Sequence, residues 1–449
     1  MPLRNYWIMK TKLQISAILV LLTAMVGVGI SYGPLYAFHV AGFAFLILFV
    51  LKLRQNLTEL PFLKKKLHFL HVPLFMIVWY ALSILWSTDR ALAVNQVFYL
   101  LNAFLIFLAA YFAIRDRSDI RRFLFLAGIL AAIEILISFL EAGGIARWPI
   151  SPYSDLVELF RRSIGYNPNM DAEIIAAINK TPTGFHWNPN DLAAYMLMII
   201  PFFLFSKRIW IKIVFPIAAL SIILLTGSRA VLIGVALMAF FYVFLYQTRK
   251  NILIISGVFA FLVIAFLIAR PYLKEKYEVK YREISTTTDA ALKFFTTDHE
   301  LVNDTSSIAI RQNLIENGMH AFKESYGLGV GGGNSQVVQK ESDNTHGIFS
   351  MHNFWIEILV EGGALVFGLW VVWYFLLLRR SYLWWRRKIP EENRRLSAAV
   401  SLSMIGAVIA IISISSAIYF LPFWLLLALA VRMNDLNRNQ ISGHFGSAQ

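Results

Sequence analysis

Long apolar runs alternate with short polar or basic interruptions almost from one end of the chain to the other. A helix that crosses a bilayer needs about 20 mostly apolar residues. Runs of that kind predict about twelve transmembrane helices. They lie near 13–30, 34–51, 72–86, 92–114, 123–140, 191–206, 209–227, 230–246, 252–269, 353–378, 397–416 and 418–431. The expected fold is an all-α integral membrane protein, a single polytopic domain over residues 1–449. The first run has a basic start (Arg4, Lys10, Lys12) and no small-residue cleavage site before the second, so it reads as an uncleaved signal anchor. Two connections are too long to be turns, one near 141–190 and one near 270–351.

Composition agrees with the pattern. Hydrophobic residues make up 58% of the chain and charged residues 15%, where a soluble domain carries about 25% charge. The absence of cysteine excludes disulfides, cysteine-ligated zinc, iron–sulfur clusters and thiol catalysis. The net charge of +14 would raise the question of nucleic acid in a soluble protein. Here the short-loop cations gather at alternate connections: Lys52, Arg54 and Lys64 to Lys66; Arg115, Arg117, Arg121 and Arg122; Lys207, Arg208 and Lys212; Arg249 and Lys250; then 379–388 with Arg394 and Arg395. Arg432 and Arg438 complete the series, and the short connections on the other side hold only Arg90 and Arg229. By the positive-inside rule both termini are expected in the cytoplasm and both long loops outside it. Orientation and anionic membrane lipid account for the charge, and no nucleic-acid partner is expected.

The candidate chemistry lies on the outer side. Arg229, in TGSR at 226–229, is not accounted for by the positive-inside rule. It reads either as an interfacial anchor or as a residue holding an anion. His352 opens the long span SMHNFWIEILVEGG at the outer mouth, where a neutral imidazole can accept a proton from a hydroxyl, or simply pack. Glu357 and Glu361 are spaced i, i+4 and share one face inside that span; a substrate role and a buried structural role are both open. The large loop ends in an expected helix capped at Asp304, Thr305 or Ser306, with Ile308, Leu314, Ile315, Met319 and Phe322 as its apolar stripe and Arg311 upon it. GLGVGGG at 327–333 follows a helix and lacks GK[ST], so it reads as a flexible turn rather than a phosphate loop. In GFHWNPND at 184–191, Asn190 or Asp191 is expected to cap the next span, and Asn190 is also a candidate sugar or phosphate ligand. His186, His346 and His352 lack metal-ligand spacing, and neither a metal nor a cofactor is expected.

Three segments in this order resemble the bacterial O-antigen ligase and polysaccharide polymerase superfamily: GF-x-x-NPND at 184–191, TGSR at 226–229, and Arg311 with GLGVGGGN and HNFWIEILVEGG. The resemblance covers about 180 to 370. It implies a GT-C-type membrane glycosyltransferase of the bacterial inner membrane, acting without metal and with inversion on the extracytoplasmic side. The implied donor is a glycan on undecaprenyl diphosphate. Arg229 and Arg311 would hold the diphosphate, and His352 would orient or deprotonate the acceptor hydroxyl. Asn190 and Glu361 match family-like positions as possible substrate ligands. A polymerase would extend lipid-linked repeat units of a surface polysaccharide, whereas a ligase would use lipid A-core as acceptor; the reading leans to the polymerase. A transporter or flippase for lipid-linked sugars is the expectation of a second class. No inverted repeat is evident, and the polar features gather on one face instead of running through several spans.

Overall fold

The computed structural model describes residues 2–55, 70–166, 175, 178–247 and 307–446. The span expected at 252–269, the cap expected at Asp304 to Ser306 and much of the loop expected at 270–351 lie outside them. The regular structure of the described residues is helical, apart from one small hairpin. The helices are α1 (Pro2–Val26), α2 (Ala37–Gln55), α3 (His71–Ser83), α4 (Arg90–Ala113), α5 (Arg117–Ala142), α6 (Pro189–Leu204), α7 (Ile209–Thr226), α8 (Arg229–Tyr246), α9 (Ser307–Glu324), α10 (Ser335–Lys340), α11 (Phe354–Arg386), α12 (Glu391–Ala410) and α13 (Leu421–Gly446). The hairpin pairs β1 (Ser31–Tyr32) with β2 (Leu35–Tyr36), antiparallel, between α1 and α2.

Among the described residues, seven helices are long and apolar enough to cross a membrane. The remaining expected spans fall on α3 and α6, which are apolar but shorter, and on α12 and α13, whose ends carry charge. The expected spans 397–416 and 418–431 are corrected in one respect. Helix α12 stops at Ala410 and α13 starts at Leu421, leaving a non-helical, serine-rich segment between them.

In a bilayer, lipid is as apolar as leucine, so helices associate through close packing and interhelical hydrogen bonds. Helix α12 shows both. Its buried positions include Ala398, Ala399, Ser401, Ser403, Gly406 and Ala407, small enough to admit neighbouring backbones. Leu197 of α6 reaches Gly234 of α8 and Gly406 of α12, where a β-carbon at either glycine would stand 2.7 or 3.3 Å away. Ser403 donates to the Met198 carbonyl at 2.7 Å, and Ser401 shares a hydrogen bond with Tyr246 at 2.7 Å. Where α11 meets α13 the packing is aromatic instead: Trp370 lies 5.4 Å from Trp424 and 5.6 Å from Phe354, both edge-on.

Candidate active site

Arg229 at the start of α8, Arg311 on α9 and His352 just before α11 stand close enough to act on one another electrostatically, at one end of α8 and of α11. Asn190 lies at the start of α6. A broken helix organises the end. Helix α11 departs from helical geometry at Gly363 (φ 77°, ψ 178°), which releases nearby carbonyls from the helical ladder. The glycine-rich run takes them up: the N–H groups of Val330 and Gly331 donate to the carbonyls of Val360 and Glu361 at 2.8 and 3.1 Å, and Ala364 N–H donates to Gly327 O at 2.9 Å. Such contact requires bare backbone on both sides. A β-carbon on Gly329 would stand 2.5 Å from Glu361 O, and one on Gly363 would strike Leu328 O. Gly327–Gly333 is therefore packed plug, not slack turn, which corrects the expectation from its composition. Four alternate glycines in it take positive φ (Gly327, Gly329, Gly331, Gly333).

The buried Glu361 carboxylate completes the joint. It accepts from Ser335 Oγ at 2.6 Å and from Gln96 Nε2 at 3.0 Å, tying the plug and α10 to α4. Glu357, one turn earlier, accepts from Ser416 Oγ at 2.6 Å and so fixes the serine-rich segment after α12. Both carboxylates thus bear on architecture around the site, and hydroxyl and amide partners rather than arginine meet them.

His352 directly precedes α11. Asn353 caps the helix, its side chain accepting from the N–H groups of Trp355 and Ile356, and His352 adopts a positive φ of 45°. A non-glycine residue in that region carries strain of about 1–3 kcal/mol. The ring is hydrogen-bonded to the backbone of Ser413, which favours its protonated form, but burial and the nearby Arg311 outweigh that and hold its pKa down at about 4. His352 is therefore neutral at pH 7. Nδ1 is buried without a hydrogen-bond partner; with the ring proton on the nitrogen facing Ser413, Nδ1 presents a lone pair.

Arg311 stands half-buried on α9. Burial and the neighbouring Arg229 guanidinium push its pKa below the ordinary arginine value, though an arginine stays charged. Arg229, exposed, occupies the first position of α8 after Gly227 (φ 68°) and Ser228. The dipole of that helix end adds to its positive potential. Among the described residues no carboxylate pairs with either arginine. Arg229 and Arg311 thus stand as two neighbouring cations beside the uncharged imidazole of His352.

The apolar stripe expected on α9 is corrected as well. Leu314 is buried, but the helix seats itself on Ala309, Ile310, Asn313, Gly318 and Ala321, while Ile315, Met319 and Phe322 are half-buried. Small residues win because α9 lies close on α11: a β-carbon at Gly318 would stand 3.1 Å from Val360 and 2.8 Å from Met351. Asn317 and Gln339 stitch α9 to α10, with Asn317 Nδ2 to Gln339 Oε1 at 3.0 Å and Gln339 Nε2 to the Leu314 carbonyl at 2.8 Å.

The other wall hangs from two carboxylates on α5. Glu141 accepts from the N–H groups of Thr183 and Gly184 at 2.7 and 2.8 Å and of Trp148 at 3.0 Å. Glu134 accepts from Phe185 N–H at 2.8 Å. His186 follows, buried near Glu134 and held neutral by burial, with a pKa of about 3. The cap of α6 is Asn188, not Asn190 or Asp191. Its Oδ1 accepts from Asn190 N–H at 2.8 Å, and Pro189 sits at the first helical position, where its fixed φ suits the helix and its missing N–H costs nothing. Asn190 is half-buried at this end. No hydrogen bond joins its side chain to Arg229, Arg311 or His352 among the described residues. Glu141 was the residue least visible beforehand; the signal was Glu134, Ser138 and Glu141 at i, i+4, i+7 on one face of an apolar helix.

Fold and site together describe a multi-pass membrane protein with two arginines and a neutral histidine gathered at one end of its helices. Residues 214–371 match the family model described as O-antigen ligase. The chain is also 26% identical over 271 residues to the teichuronic acid biosynthesis protein TuaE of Bacillus subtilis (strain 168), a match covering 58% of this chain and 53% of that relative. The chain thus matches about half the length of its curated relative. These likenesses bear out the resemblance to the O-antigen ligase and polysaccharide polymerase superfamily. The region matched by the family model contains Arg229, Arg311, His352 and Glu361 and leaves Asn190 outside.

Proposed function

We propose that the protein transfers a glycan from undecaprenyl diphosphate to an acceptor hydroxyl at the extracytoplasmic membrane surface, extending lipid-linked repeat units of a surface polysaccharide. The observation that carries this reading is the pair of mutually repelling arginines, without a carboxylate partner among the described residues, beside a neutral histidine whose Nδ1 has no hydrogen-bond partner. An anionic leaving group relieves the repulsion, and the planar guanidinium matches phosphate oxygens bidentately.

In this reading the acceptor oxygen attacks the anomeric carbon as the bond from that carbon to the diphosphate oxygen breaks, with inversion. Nδ1 of His352 takes the hydroxyl proton and later releases it to water. The electron pair of the broken bond leaves with undecaprenyl diphosphate, whose growing charge Arg229 and Arg311 hold without a metal. Glu361 acts through the plug that positions α11, and Asn190 contributes at the edge. The full architecture is the twelve-span, GT-C-type arrangement in the inner membrane, with both termini cytoplasmic. The relative named for teichuronic acid biosynthesis supports a polysaccharide product. The description of the matched family model favours a second reading, a ligase acting on lipid A-core.

Reconstitution with lipid-linked oligosaccharide as sole substrate tests the proposal. A ladder of lengthening products, lost in His352→Ala at equal expression, is expected. If the ladder persists in that variant, His352 is not the base. If only added lipid A-core yields a conjugate, the ligase reading replaces the polymerase.

A further inference from the structure

A mostly apolar cavity lies away from the candidate active site, toward the opposite end of the helices. It measures about 680 Å³ and opens between α5 and the helices α6, α7, α12 and α13. Its walls are apolar, with Phe123 and Ala131 from α5, Met198 and Phe202 from α6, and Leu425 and Leu429 from α13. The mouth is different. Arg121, Lys207, Arg208 and Arg395 line it against a single carboxylate, Glu392.

Glu392 is already engaged by Arg121 at 3.1 Å, bridging α5 to α12. Arg395 is shared between Glu391 at 2.8 Å and the Ser206 carbonyl at 3.5 Å. Lys207 and Arg208 are exposed, and no carboxylate pairs with either among the described residues. Trp210, also at the mouth and exposed, is the kind of residue that sits at headgroup level. An apolar slot with a surplus of cations at the predicted cytoplasmic surface matches one chemistry: acyl chains inside and an anionic headgroup at the rim. A diacyl lipid suits it better than a polyprenyl phosphate, because the slot is broad, lined by residues of six helices, and faces the leaflet opposite the site where the donor is expected.

We infer that this slot is a selective binding site for an anionic phospholipid of the cytoplasmic leaflet, with its acyl chains between α5 and α13 and its phosphate held by Lys207 and Arg208. The bound lipid would brace α5, the helix whose far end carries Glu134 and Glu141.

The test uses the full-length protein in nanodiscs or mild detergent, titrated with phosphatidylglycerol and phosphatidylcholine of the same chains and read by native mass spectrometry. Phosphatidylglycerol should be retained selectively. Each basic residue near a surface contributes about fivefold, so the double variant Lys207→Gln with Arg208→Gln should lose selectivity on the order of 30-fold. Gly128→Leu probes the slot by a second route. Gly128 lines it, and a β-carbon there meets nothing within 4 Å, so the variant fills the slot without touching the cations and should lower retention of the lipid. Equal retention of both lipids by the wild type, or unchanged retention in both variants, overturns the inference. So does displacement of phosphatidylglycerol by a polyprenyl phosphate at much lower concentration.

Discussion

The joint between α11 and the glycine-rich plug gives the sharpest test of this structure, through Gly363→Ala. The native backbone at Gly363 has φ 77° and ψ 178°, a region essentially reserved for glycine, where another residue costs about 1–3 kcal/mol. The added methyl would also strike Leu328 O and stand 2.6 Å from Gly327 O. Both obstacles are backbone, so no rotamer change relieves them. The plug must withdraw, and with it go the bonds from Val330, Gly331 and Ala364, each worth roughly 1 kcal/mol. The summed effect is roughly 4–6 kcal/mol. Gly368 supplies the control on the same helix: it is exposed, and a β-carbon there meets nothing within 4 Å. Gly368→Ala should be neutral or stabilising by up to about 1 kcal/mol, because alanine favours helix. Thermal unfolding in detergent, followed by tryptophan fluorescence, should place Gly363→Ala at least about 5 °C below the control, with glycan transfer reduced as the start of α11 shifts. Equal melting of the two variants would refute the interlocked joint.

Other consequences follow from the same geometry. His352 is held neutral, with a pKa near 4, so a base at this position works across neutral pH and fails only as pH falls through about 4. Arg311→Gln removes one of the two causes of the depression, and NMR titration of labelled histidine, assigned with His352→Asn, should show the midpoint moving up toward the ordinary value. Glu141→Ala would leave three backbone N–H groups without their acceptor and cost on the order of 3 kcal/mol, whereas Glu141→Gln keeps an acceptor and should lose less; melting temperatures rank them. Arg229→Lys keeps the charge but loses the planar fork, so glycan transfer should fall at least about tenfold in the reconstituted assay; wild-type activity would remove Arg229 from the site.

What was legible beforehand had a local signature. Apolar runs located the helices because the bilayer dictates a length, and Arg229 stood out because, in the short connections, the charge rule leaves only it and Arg90 unexplained. What stayed hidden depends on distant partners. Glu361 left a substrate role and a buried structural role both open, because the partner its carboxylate meets, Gln96, is 265 positions away in sequence. The glycines at 327–333 looked slack because composition reports conformational freedom and not the backbone pressed against it. The stripe on α9 was placed on its large apolar residues, yet the buried face joins Ile310 and Leu314 with the small Ala309, Gly318 and Ala321, which admit the close approach. The cap of α6 was moved two residues by a proline whose fixed φ suits a helix's first position as well as a break.

The joint at Gly363 also bears on length. As a straight rod, the 33 residues of α11 would measure about 50 Å, against a hydrocarbon core of about 30 Å. A rod that overshoots must tilt, and its tilt follows the thickness of the surrounding lipid. With a hinge point two to three turns from its outer end, α11 divides that duty. The longer inner portion answers to the bilayer, while the short outer portion answers to the plug and the capped turn beside His352. On that division, tilt imposed by lipid of different thickness is expected to fall on the longer portion and to leave the turn beside His352 in register.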